Sequence, residues 1–407
     1  MAINEVVLVG ACRTAIGSYG KSLADVPANT LAEIAGAEAI KRAGVAPEII
    51  DEIVSGSIYV HGNGSLPARI IGKRLGLPDR SGATNINQNC ASGMRALDVA
   101  AMGLMLGRTE TALVIGVDTM SRIPYLLPKA RWGYRMGAGN LVDPLLEDGL
   151  YCTLAQGHMG LTAENVAARF GITREECDHL AMISQTRALR AIGEGRFKRE
   201  IAPVEIKGRK GVTIFDTDEH PNAKTTLEIL AKLKPAFKEG GVVTAGNASG
   251  INDAAAAAIL MTKQKAKELG LKPLMKLLGV TVEGVAPEVM GLGPAVAIPK
   301  VLKQCGIKYQ DIDYWEINEA FAPQVIGSCR MLKEQSGIEV NFGDAEHDGN
   351  VNNNGSGIAL GHPVGCTALR IIVSLYYELE RLGKTTGGAS LCVGGGPGMA
   401  SLWTRDI

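Results

Sequence analysis

Short apolar runs alternate with longer amphipathic runs from the start of the chain. The apolar or extended runs predict strands, at residues 6–9, 51–59, 83–89, 112–116, 254–258 and 313–317. Apolar positions at helical spacing and helix-start signals predict helices, at residues 30–44, 67–76, 91–107 and 263–270. This alternation predicts an α/β fold in which helices cover a mostly parallel sheet.

Between residues 121 and 248 the alternation gives way to a loop-rich segment with prolines, glycines and charged runs. Strand and helix signals alternate again beyond it. We therefore predict an N-terminal α/β half at residues 1–120, continued at 249–273, an inserted loop subdomain at 121–248 and a C-terminal α/β half at 274–407. A basic cluster at 207–210 fits either a solvated face or a phosphate-binding role.

An eight-residue pattern occurs twice and relates the two halves. The pattern (Cys or His)-x-x-Gly-x-x-Ala-Leu begins at Cys90 and again at His362, and each copy opens a long helix that precedes an apolar strand. A pseudo-twofold axis between the halves would bring both helix N-termini to one centre. A helix N-terminus and a neighbouring imidazole both favour a thiolate, so Cys90 and His362 are a candidate nucleophile and its base. The alternatives are an inert, buried cysteine and a histidine that only caps its helix.

Two further polar positions lie at the ends of predicted strands. Asn318 directly follows residues 313–317, and Cys392 precedes Val393 and three consecutive glycines. Glycines let backbone N–H groups approach a ligand closely. Because ligands of α/β sheets bind at the carboxyl ends of strands, we expect Asn318 and Cys392 to join Cys90 and His362.

Composition narrows the class of protein. The chain has 407 residues, 46% hydrophobic, with 51 glycines, so we expect two or three tightly packed domains. Its 42 basic and 42 acidic residues balance, which argues against a nucleic-acid or membrane surface. The eight cysteines show no CxxC pair and no metal-finger spacing, and neither a leader nor a membrane span is visible. We therefore expect a soluble cytoplasmic protein without a metal site.

Six motifs in order along the chain resemble the signature motifs of the thiolases. They are Cys90-Ala-Ser-Gly-Met, His158-Met-Gly-Leu-Thr-Ala-Glu-Asn, Val243-Thr-Ala-Gly-Asn-Ala-Ser-Gly, Asn318-Glu-Ala-Phe-Ala, Gly361-His-Pro-Val-Gly and Cys392-Val-Gly-Gly-Gly. The resemblance implies the thiolase fold, two similar α/β halves related by a pseudo-twofold and layered α-β-α-β-α, with an inserted loop subdomain. It also implies cleavage of 3-oxoacyl-CoA by CoA, or the reverse Claisen condensation, with coenzyme A or acetyl-CoA as substrate and no permanently bound cofactor.

The same resemblance assigns roles to five residues. Cys90 is the nucleophile that carries the acyl group as a thioester, and His362 activates it and contributes to an oxyanion hole. Cys392 is the general acid and base that moves the α-proton. Asn318 holds a water in the oxyanion hole of His362, and the backbone N–H of Gly394 joins that of Cys90 in a second hole.

The pantetheine channel and the acyl pocket are assigned in the same way. Their residues are Leu150, His158, Met159, Phe237, Ala245, Ser249, Met290, Ala320 and Phe321. The chain departs from the usual thiolase sequence at Asn222-Ala223, in place of Arg-His on the adenine side of CoA, where Lys224 is a substitute contact. Gly355-Ser356-Gly357 replaces Gly-Gly-Ala, Pro397 follows the triple glycine, and residues 341–349 are longer and more acidic than usual. These departures concern CoA contacts and chain length, not the type of reaction.

The acyl chain length stays open on the sequence. Residues 157–160 with Met290 resemble the branch that forms acetoacetyl-CoA, whereas the changed segment 341–357 also fits a broader 3-oxoacyl-CoA thiolase of β-oxidation type. A non-catalytic, thiolase-like acyl-CoA-binding protein is the alternative from another class, but it should have lost one of the three reacting residues. A ketoacyl synthase, a dinucleotide-binding loop and a metal site fit the motifs and spacings poorly.

One loop bears on assembly. Residues 122–142 resemble the family's tetramerisation loop and contain Trp132 and Tyr134, which would need covering. We therefore expect a homotetramer, built as a dimer of dimers.

Overall fold

The computed structural model describes residues 3–209 and 211–407, so Lys210 of the predicted basic cluster lies outside it. Its strands are β1 (Val6–Thr14), β2 (Gly17–Ser18), β3 (Glu52–Gly56), β4 (Gly82–Ile86), β5 (Thr111–Thr119), β6 (Tyr151–Cys152), β7 (Gly157–His158), β8 (Ile201–Ala202), β9 (Val204–Gly208), β10 (Gly211–Phe215), β11 (Asn252–Thr262), β12 (Met275–Gly284), β13 (Tyr314–Ile317), β14 (Thr386–Cys392) and β15 (Pro397–Thr404). Its α-helices are α1 (Ala28–Ala43), α2 (Pro67–Arg74), α3 (Ser92–Met105), α4 (Met159–Phe170), α5 (Arg174–Gly193), α6 (Leu227–Ala231), α7 (Lys263–Glu268), α8 (Gly293–Cys305), α9 (Ala322–Ser336), α10 (Gly357–Leu360) and α11 (Val364–Leu382).

The main sheet has the strand order β13-β14-β15-β12-β1-β11-β5-β3-β4, with β2 and β8 paired at its side. Only the pairs β3–β4, β3–β5, β13–β14 and β1–β8 are parallel. The expectation of a mostly parallel sheet is therefore wrong, because β11 and β15 each run antiparallel to both of their long neighbours. Only four residues separate β14 from β15, which is too few for a parallel crossover.

The order of strands confirms the internal repeat. The series β1-β11-β5-β3 in the first half matches β12-β15-β14-β13 in the second, with the same sequence of antiparallel, antiparallel and parallel pairs. Each half even has an irregularity at the same place in its first pair, next to Gly10 and next to Gly279. The two halves meet where β1 pairs with β12, over two residues of each strand.

Helices form the layers above and below the strands. The helix α1 covers β1 and β11 of the first half, and α8 covers β12 and β15 of the second half. Between the halves lie α3 and α11, and α11 contacts strands of both halves and is buried along nearly its whole length. This is the α-β-α-β-α layering that the resemblance implies, and it brings the starts of α3 and α11 together.

Local predictions of element type hold, but some boundaries are wrong, since the extended run predicted for residues 83–89 ends with β4 at Ile86. The alanine run 254–258 lies in the fully buried central strand β11, and α2 begins at Pro67, as predicted. The helix predicted to begin at Thr30 starts earlier, since α1 begins at Ala28 after Pro27 and has no side-chain cap. Because α1 starts two residues before the predicted position, Thr30 lies inside the first helical turn, where its side chain cannot cap the helix.

Residues 121–248 carry β6–β10 and α4–α6, and the domain boundaries assigned from the sequence remain a prediction. Within this segment α4 and α5 pack on α9 of the second half. No helix in the described part of the chain combines the length and apolarity needed to cross a membrane.

Candidate active site

A cavity of about 350 Å³ opens where the starts of α3 and α11 meet the loops of residues 121–250. All nine residues assigned to the CoA channel and acyl pocket line it: Leu150, His158, Met159, Phe237, Ala245, Ser249, Met290, Ala320 and Phe321. Cys90, His362 and Gly394 line it as well. The structure thus brings together residues that are as much as 305 positions apart in the chain, since Asn89 and Gly394 both line the cavity.

The loop between β4 and α3 fixes the position of Cys90. Asn89 adopts a left-handed backbone conformation (φ 45°), and its side-chain Nδ2 donates to the Gly394 carbonyl at 2.8 Å. The hydroxyl of Ser92 donates to the Asn89 carbonyl at 2.7 Å and accepts from the Gln88 N–H at 3.0 Å. The turn is therefore locked by side chains on both sides of the cysteine.

The electrostatics of Cys90 differ from the expectation of a resting thiolate. Burial raises the pKa of its thiol to about 11, although the backbone N–H groups of Gly394 and of Cys90 itself act in the opposite direction. The helix begins only at Ser92, two residues after Cys90. Its N-terminus therefore lowers the thiol pKa by less than desolvation raises it. Cys90 is therefore a thiol at rest, and a nucleophilic role would require a base to remove its proton.

His362 has the protonation state of such a base. Its Nδ1 lies 2.6 Å from the Thr367 hydroxyl, and that hydroxyl donates to the Pro363 carbonyl at 3.0 Å. Because the hydroxyl proton is committed, Nδ1 carries the ring proton and donates it to Thr367, which leaves a lone pair on Nε2. Nε2 has no hydrogen-bond partner among the described residues. Burial, with a contribution from Arg370, lowers the pKa of His362 to about 3, so the ring is neutral.

Cys392 lies behind the wall of the cavity, at the end of β14. It is fully buried in an apolar cluster with Met159, Met290 and Phe321. Burial raises the pKa of its thiol, and a thiolate at Cys90 would raise it further. A cysteine in these surroundings is a neutral thiol until a proton acceptor forms beside it.

Asn318 directly follows β13, and neither Oδ1 nor Nδ2 of its fully buried carboxamide has a hydrogen-bond partner in the part of the chain that the structure describes. Buried amides normally bind protein or water, so this group is suited to hold a water or a substrate oxygen. Asn352 fixes the backbone next to it through bonds to the N–H and the carbonyl of Ile317 at 2.8 and 2.7 Å. A side chain at Gly357 would place its Cβ 2.7 Å from Asn318 Oδ1, so the glycine found here in place of alanine lies against this amide.

His158 lies on the side of the cavity that the sequence analysis assigns to the pantetheine channel. Its Nδ1 accepts from the Gly160 N–H at 3.0 Å, so Nε2 carries the proton, and its ring stacks on Phe237 with centroids 4.6 Å apart. Burial lowers the pKa of His158, which keeps the ring neutral. The departure at Asn222 and Ala223 lies outside the cavity. These two residues and Lys224 are exposed and do not line it.

Three residues of the site were missed by the sequence analysis. Thr367 fixes the tautomer of His362, Asn252 accepts from the His362 N–H at 2.9 Å, and Asp118 accepts from the Gly365 N–H at 2.6 Å. Burial raises the pKa of Asp118 to about 6. Asn252 and Asp118 are polar residues near the ends of otherwise apolar strands, which is the signal that the sequence offered.

No group of three or more histidine, cysteine or acidic side chains in the described chain has the arrangement of a metal site. The cavity is lined mostly by apolar residues with a few polar groups, which is typical of a site for an organic molecule.

Comparison with known proteins agrees with this description. The family models for the thiolase N-terminal domain and the thiolase C-terminal domain match residues 6–264 and 271–405. The chain is 49% identical over 401 residues to an acetyl-CoA acetyltransferase of Syntrophomonas wolfei (98% of each chain) and 43% identical over 405 residues to one of Escherichia coli (99% of this chain and 100% of the relative).

Two solved structures give the same result. The acetyl-CoA acetyltransferase from Syntrophomonas wolfei matches with a TM-score of 0.97 at 64% identity, covering 99% of this chain and 100% of the other. Human mitochondrial 3-ketoacyl-CoA thiolase in complex with CoA matches with a TM-score of 0.92 at 37% identity over 100% of both chains. The chain has the thiolase fold and belongs to the thiolase family.

Proposed function

We propose that this acyltransferase exchanges an acyl group between Cys90 and coenzyme A, most specifically in the reaction acetoacetyl-CoA + CoA = 2 acetyl-CoA. The observation that carries the proposal is the unpartnered Nε2 of His362, which lines the same cavity as the Cys90 thiol. The acetyl-CoA acetyltransferase relatives, which match over nearly the whole chain, support the choice of substrate.

Cleavage begins with activation of the nucleophile. Nε2 of His362 takes the proton of the Cys90 thiol, and the thiolate attacks the C3 carbonyl carbon of acetoacetyl-CoA. The N–H groups of Cys90 and Gly394 stabilise the tetrahedral oxyanion. When the bond between C2 and C3 breaks, Cys90 keeps the acetyl group and the enolate of acetyl-CoA departs.

The enolate is then protonated. The Nε2–H of the His362 imidazolium and a water on the Asn318 amide stabilise the enolate oxygen, and the Cys392 thiol gives its proton to the enolate carbon. The Cys392 thiolate takes the proton of the incoming CoA thiol. The CoA thiolate attacks the acetyl group, and the released Cys90 thiolate recovers its proton from His362, which restores the enzyme. Condensation follows the same steps in reverse.

Two measurements test this function. Purified protein should consume acetoacetyl-CoA in the presence of CoA, as followed by loss of the substrate's ultraviolet absorbance. Intact mass after treatment with acetyl-CoA should show one added acetyl group, absent in Cys90→Ala and retained in Cys305→Ala, a cysteine outside the cavity. Folded protein that binds CoA without cleaving acetoacetyl-CoA would favour the non-catalytic alternative, and acetylation that persists in Cys90→Ala would refute the assigned nucleophile.

A broader 3-oxoacyl-CoA thiolase is the second candidate. It is supported by an apolar wall beside Cys90, in which Met120, Leu150, Ile251 and Val364 line the cavity. The 37% identity to human mitochondrial 3-ketoacyl-CoA thiolase points the same way. Rates of thiolysis on acetoacetyl-, 3-oxohexanoyl- and longer 3-oxoacyl-CoA separate the two candidates, since a rate that falls steeply after the first substrate identifies the acetoacetyl enzyme.

We also propose that the chain assembles as a tetramer, a dimer of dimers. The support comes from residues 122–142, where large apolar side chains are exposed to solvent: Tyr125, Leu127, Trp132, Tyr134, Met136 and Leu141. Such a cluster on one loop is typical of a surface that another chain covers.

A further inference from the structure

We propose that Asn252 is a positioning residue for His362, a role that presupposes the acyl transfer proposed above. Asn252 is the first residue of β11 and is fully buried. It does not line the cavity, and its hydrogen bonds go to other parts of the chain, which fits a role exerted through His362. Its side chain instead connects the backbone of His362 with two other parts of the chain.

The hydrogen bonds of Asn252 fix the orientation of its carboxamide. Nδ2 donates to the Gly17 carbonyl at 3.0 Å, and a carbonyl can only accept. The other end of the amide, Oδ1, therefore faces the His362 N–H and accepts from it at 2.9 Å. The second hydrogen of Nδ2 points to His220 Nδ1, 3.3 Å away.

The peptide before His362 presses against this amide. Gly361 has a φ of 96°, and a Cβ at this position would lie 2.4 Å from Asn252 Oδ1. The imidazole is thus held at two points, by Asn252 through the main chain and by Thr367 through Nδ1. With both anchors in place, Nε2 is left free for the Cys90 proton. Without Asn252 only the bond to Thr367 remains.

His220 extends this support into residues 121–248. It ends a run in which each side chain contacts the first half: Asp218 binds Arg13 and the Ile16 N–H, and Glu219 accepts from the Ser18 N–H at 2.8 Å. His220 follows with its contact to Asn252. The segment that contributes His158 and Phe237 to the cavity is therefore linked to His362 by hydrogen bonds through His220 and Asn252.

The test compares variants of Asn252 with a matched control. Asn252→Ala removes both bonds, and Asn252→Asp keeps an oxygen for the His362 N–H but loses the donor to Gly17 and His220. Asn29→Ala is the control, because Asn29 is also a buried asparagine with one side-chain bond, to the Asn63 carbonyl at 3.0 Å. We expect thiolysis with acetoacetyl-CoA and CoA to lose about 10- to 100-fold in kcat in both Asn252 variants, with KM within about threefold, because a small misplacement of a catalytic group costs rate more than binding.

A second readout separates positioning from loss of stability. The rate of Cys90 alkylation by iodoacetamide should shift to higher pH in Asn252→Ala, whereas Asn29→Ala should follow the wild-type profile even at an equal loss in Tm. His220→Ala keeps the proposal testable if Asn252→Ala does not fold, and we expect a smaller loss in kcat, about threefold, with the same direction of pH shift.

The outcomes distinguish this proposal from the function on which it depends. Wild-type protein that does not cleave acetoacetyl-CoA would overturn both. Active wild-type protein together with Asn252 variants that match Asn29→Ala in kcat and in the alkylation profile would overturn the positioning role alone. A change confined to KM would do the same, because it would indicate a contribution to CoA binding.

Discussion

At the scale of single residues, burial sets the protonation states of the two candidate reacting groups. The pKa of Cys90 is raised to about 11 and that of His362 is lowered to about 3. The resting pair is therefore a thiol and a neutral imidazole, not a preformed ion pair. In the proposed reaction, proton transfer from Cys90 to His362 therefore has to accompany attack on the substrate carbonyl, when the backbone N–H groups gain an oxyanion to stabilise.

Replacing the base should affect rate far more than folding. We expect His362→Asn to lower kcat for thiolysis by about 10²- to 10⁴-fold, because the proposed mechanism uses the imidazole as the base that takes the Cys90 proton. His179→Ala, an exposed histidine on α5, is the control and should keep wild-type kcat. Steady-state kinetics with acetoacetyl-CoA and CoA measure both, and a His362→Asn enzyme within tenfold of wild type would contradict the assigned role.

The same histidine makes stability depend on pH. The pKa of His362 falls from 6.5 to about 3 on folding, so between these values the unfolded chain binds a proton that the folded chain does not. Its contribution to stability is therefore present above pH 6.5 and is lost as the pH falls. Asp118, whose pKa rises from 3.8 to about 6 on folding, affects stability in the opposite direction. Asp118 is present in both the wild type and His362→Asn, so its effect is the same in the two proteins.

Urea denaturation between pH 7 and pH 4 measures this effect. We expect the free energy of unfolding to fall less steeply with decreasing pH in His362→Asn than in the wild type. Parallel curves for the two proteins would show that the imidazole takes up a proton equally well in the folded and unfolded chains.

At the scale of elements, the central feature is the contact between α3 and α11. The glycine of the first repeat serves this contact: a Cβ on Gly93 would lie 2.9 Å from the Leu369 nitrogen and 3.1 Å from the Gly365 carbonyl oxygen. The glycine of the second repeat lies against β5 instead, since a Cβ on Gly365 would lie 2.6 Å from Asp118 Oδ2. The repeat therefore marks both the candidate reacting residues and the close packing around them.

A pair of glycines in α3 tests this packing. Gly93→Ala should lower the free energy of unfolding by about 1–3 kcal/mol, because the added methyl group meets backbone atoms of α11. It should also lower kcat, since the starts of α3 and α11 would separate. Gly103→Ala, near the other end of α3, meets the side-chain oxygen of Thr109 at 3.1 Å and should have a much smaller effect. Equal unfolding midpoints and rates for the two variants would contradict the role of Gly93.

At the scale of the whole molecule, the exposed loop 122–142 predicts assembly. Trp132 is 89% exposed and Met136 is fully exposed in the single chain. The double variant Trp132→Asp, Met136→Asp should shift the molar mass from that of a tetramer to that of a dimer, because charges on this loop would oppose its burial. Light scattering after gel filtration measures the mass, with Leu106→Asp on α3's exposed end as the control. A dimeric wild type, or a tetrameric double variant, would contradict the proposal.

The sequence by itself determined much of the fold. Several features can be recognised without the tertiary structure, because each depends on residues that are close together in the chain. They are the alternation of apolar and amphipathic runs, the two copies of the repeat at Cys90 and His362, and the motifs at Asn318 and Cys392. The nine channel residues came from the resemblance to thiolases, and all nine line the cavity.

Only the tertiary structure decided strand direction, protonation and support of the base. The antiparallel course of β11 and β15 depends on pairing between distant segments. The pKa values of Cys90 and His362 depend on how completely each is buried. Asn252 reaches His362 across 110 positions, and Asp118 reaches Gly365 across 247. These properties arise from atoms that become neighbours on folding, and no local pattern in the sequence contains them.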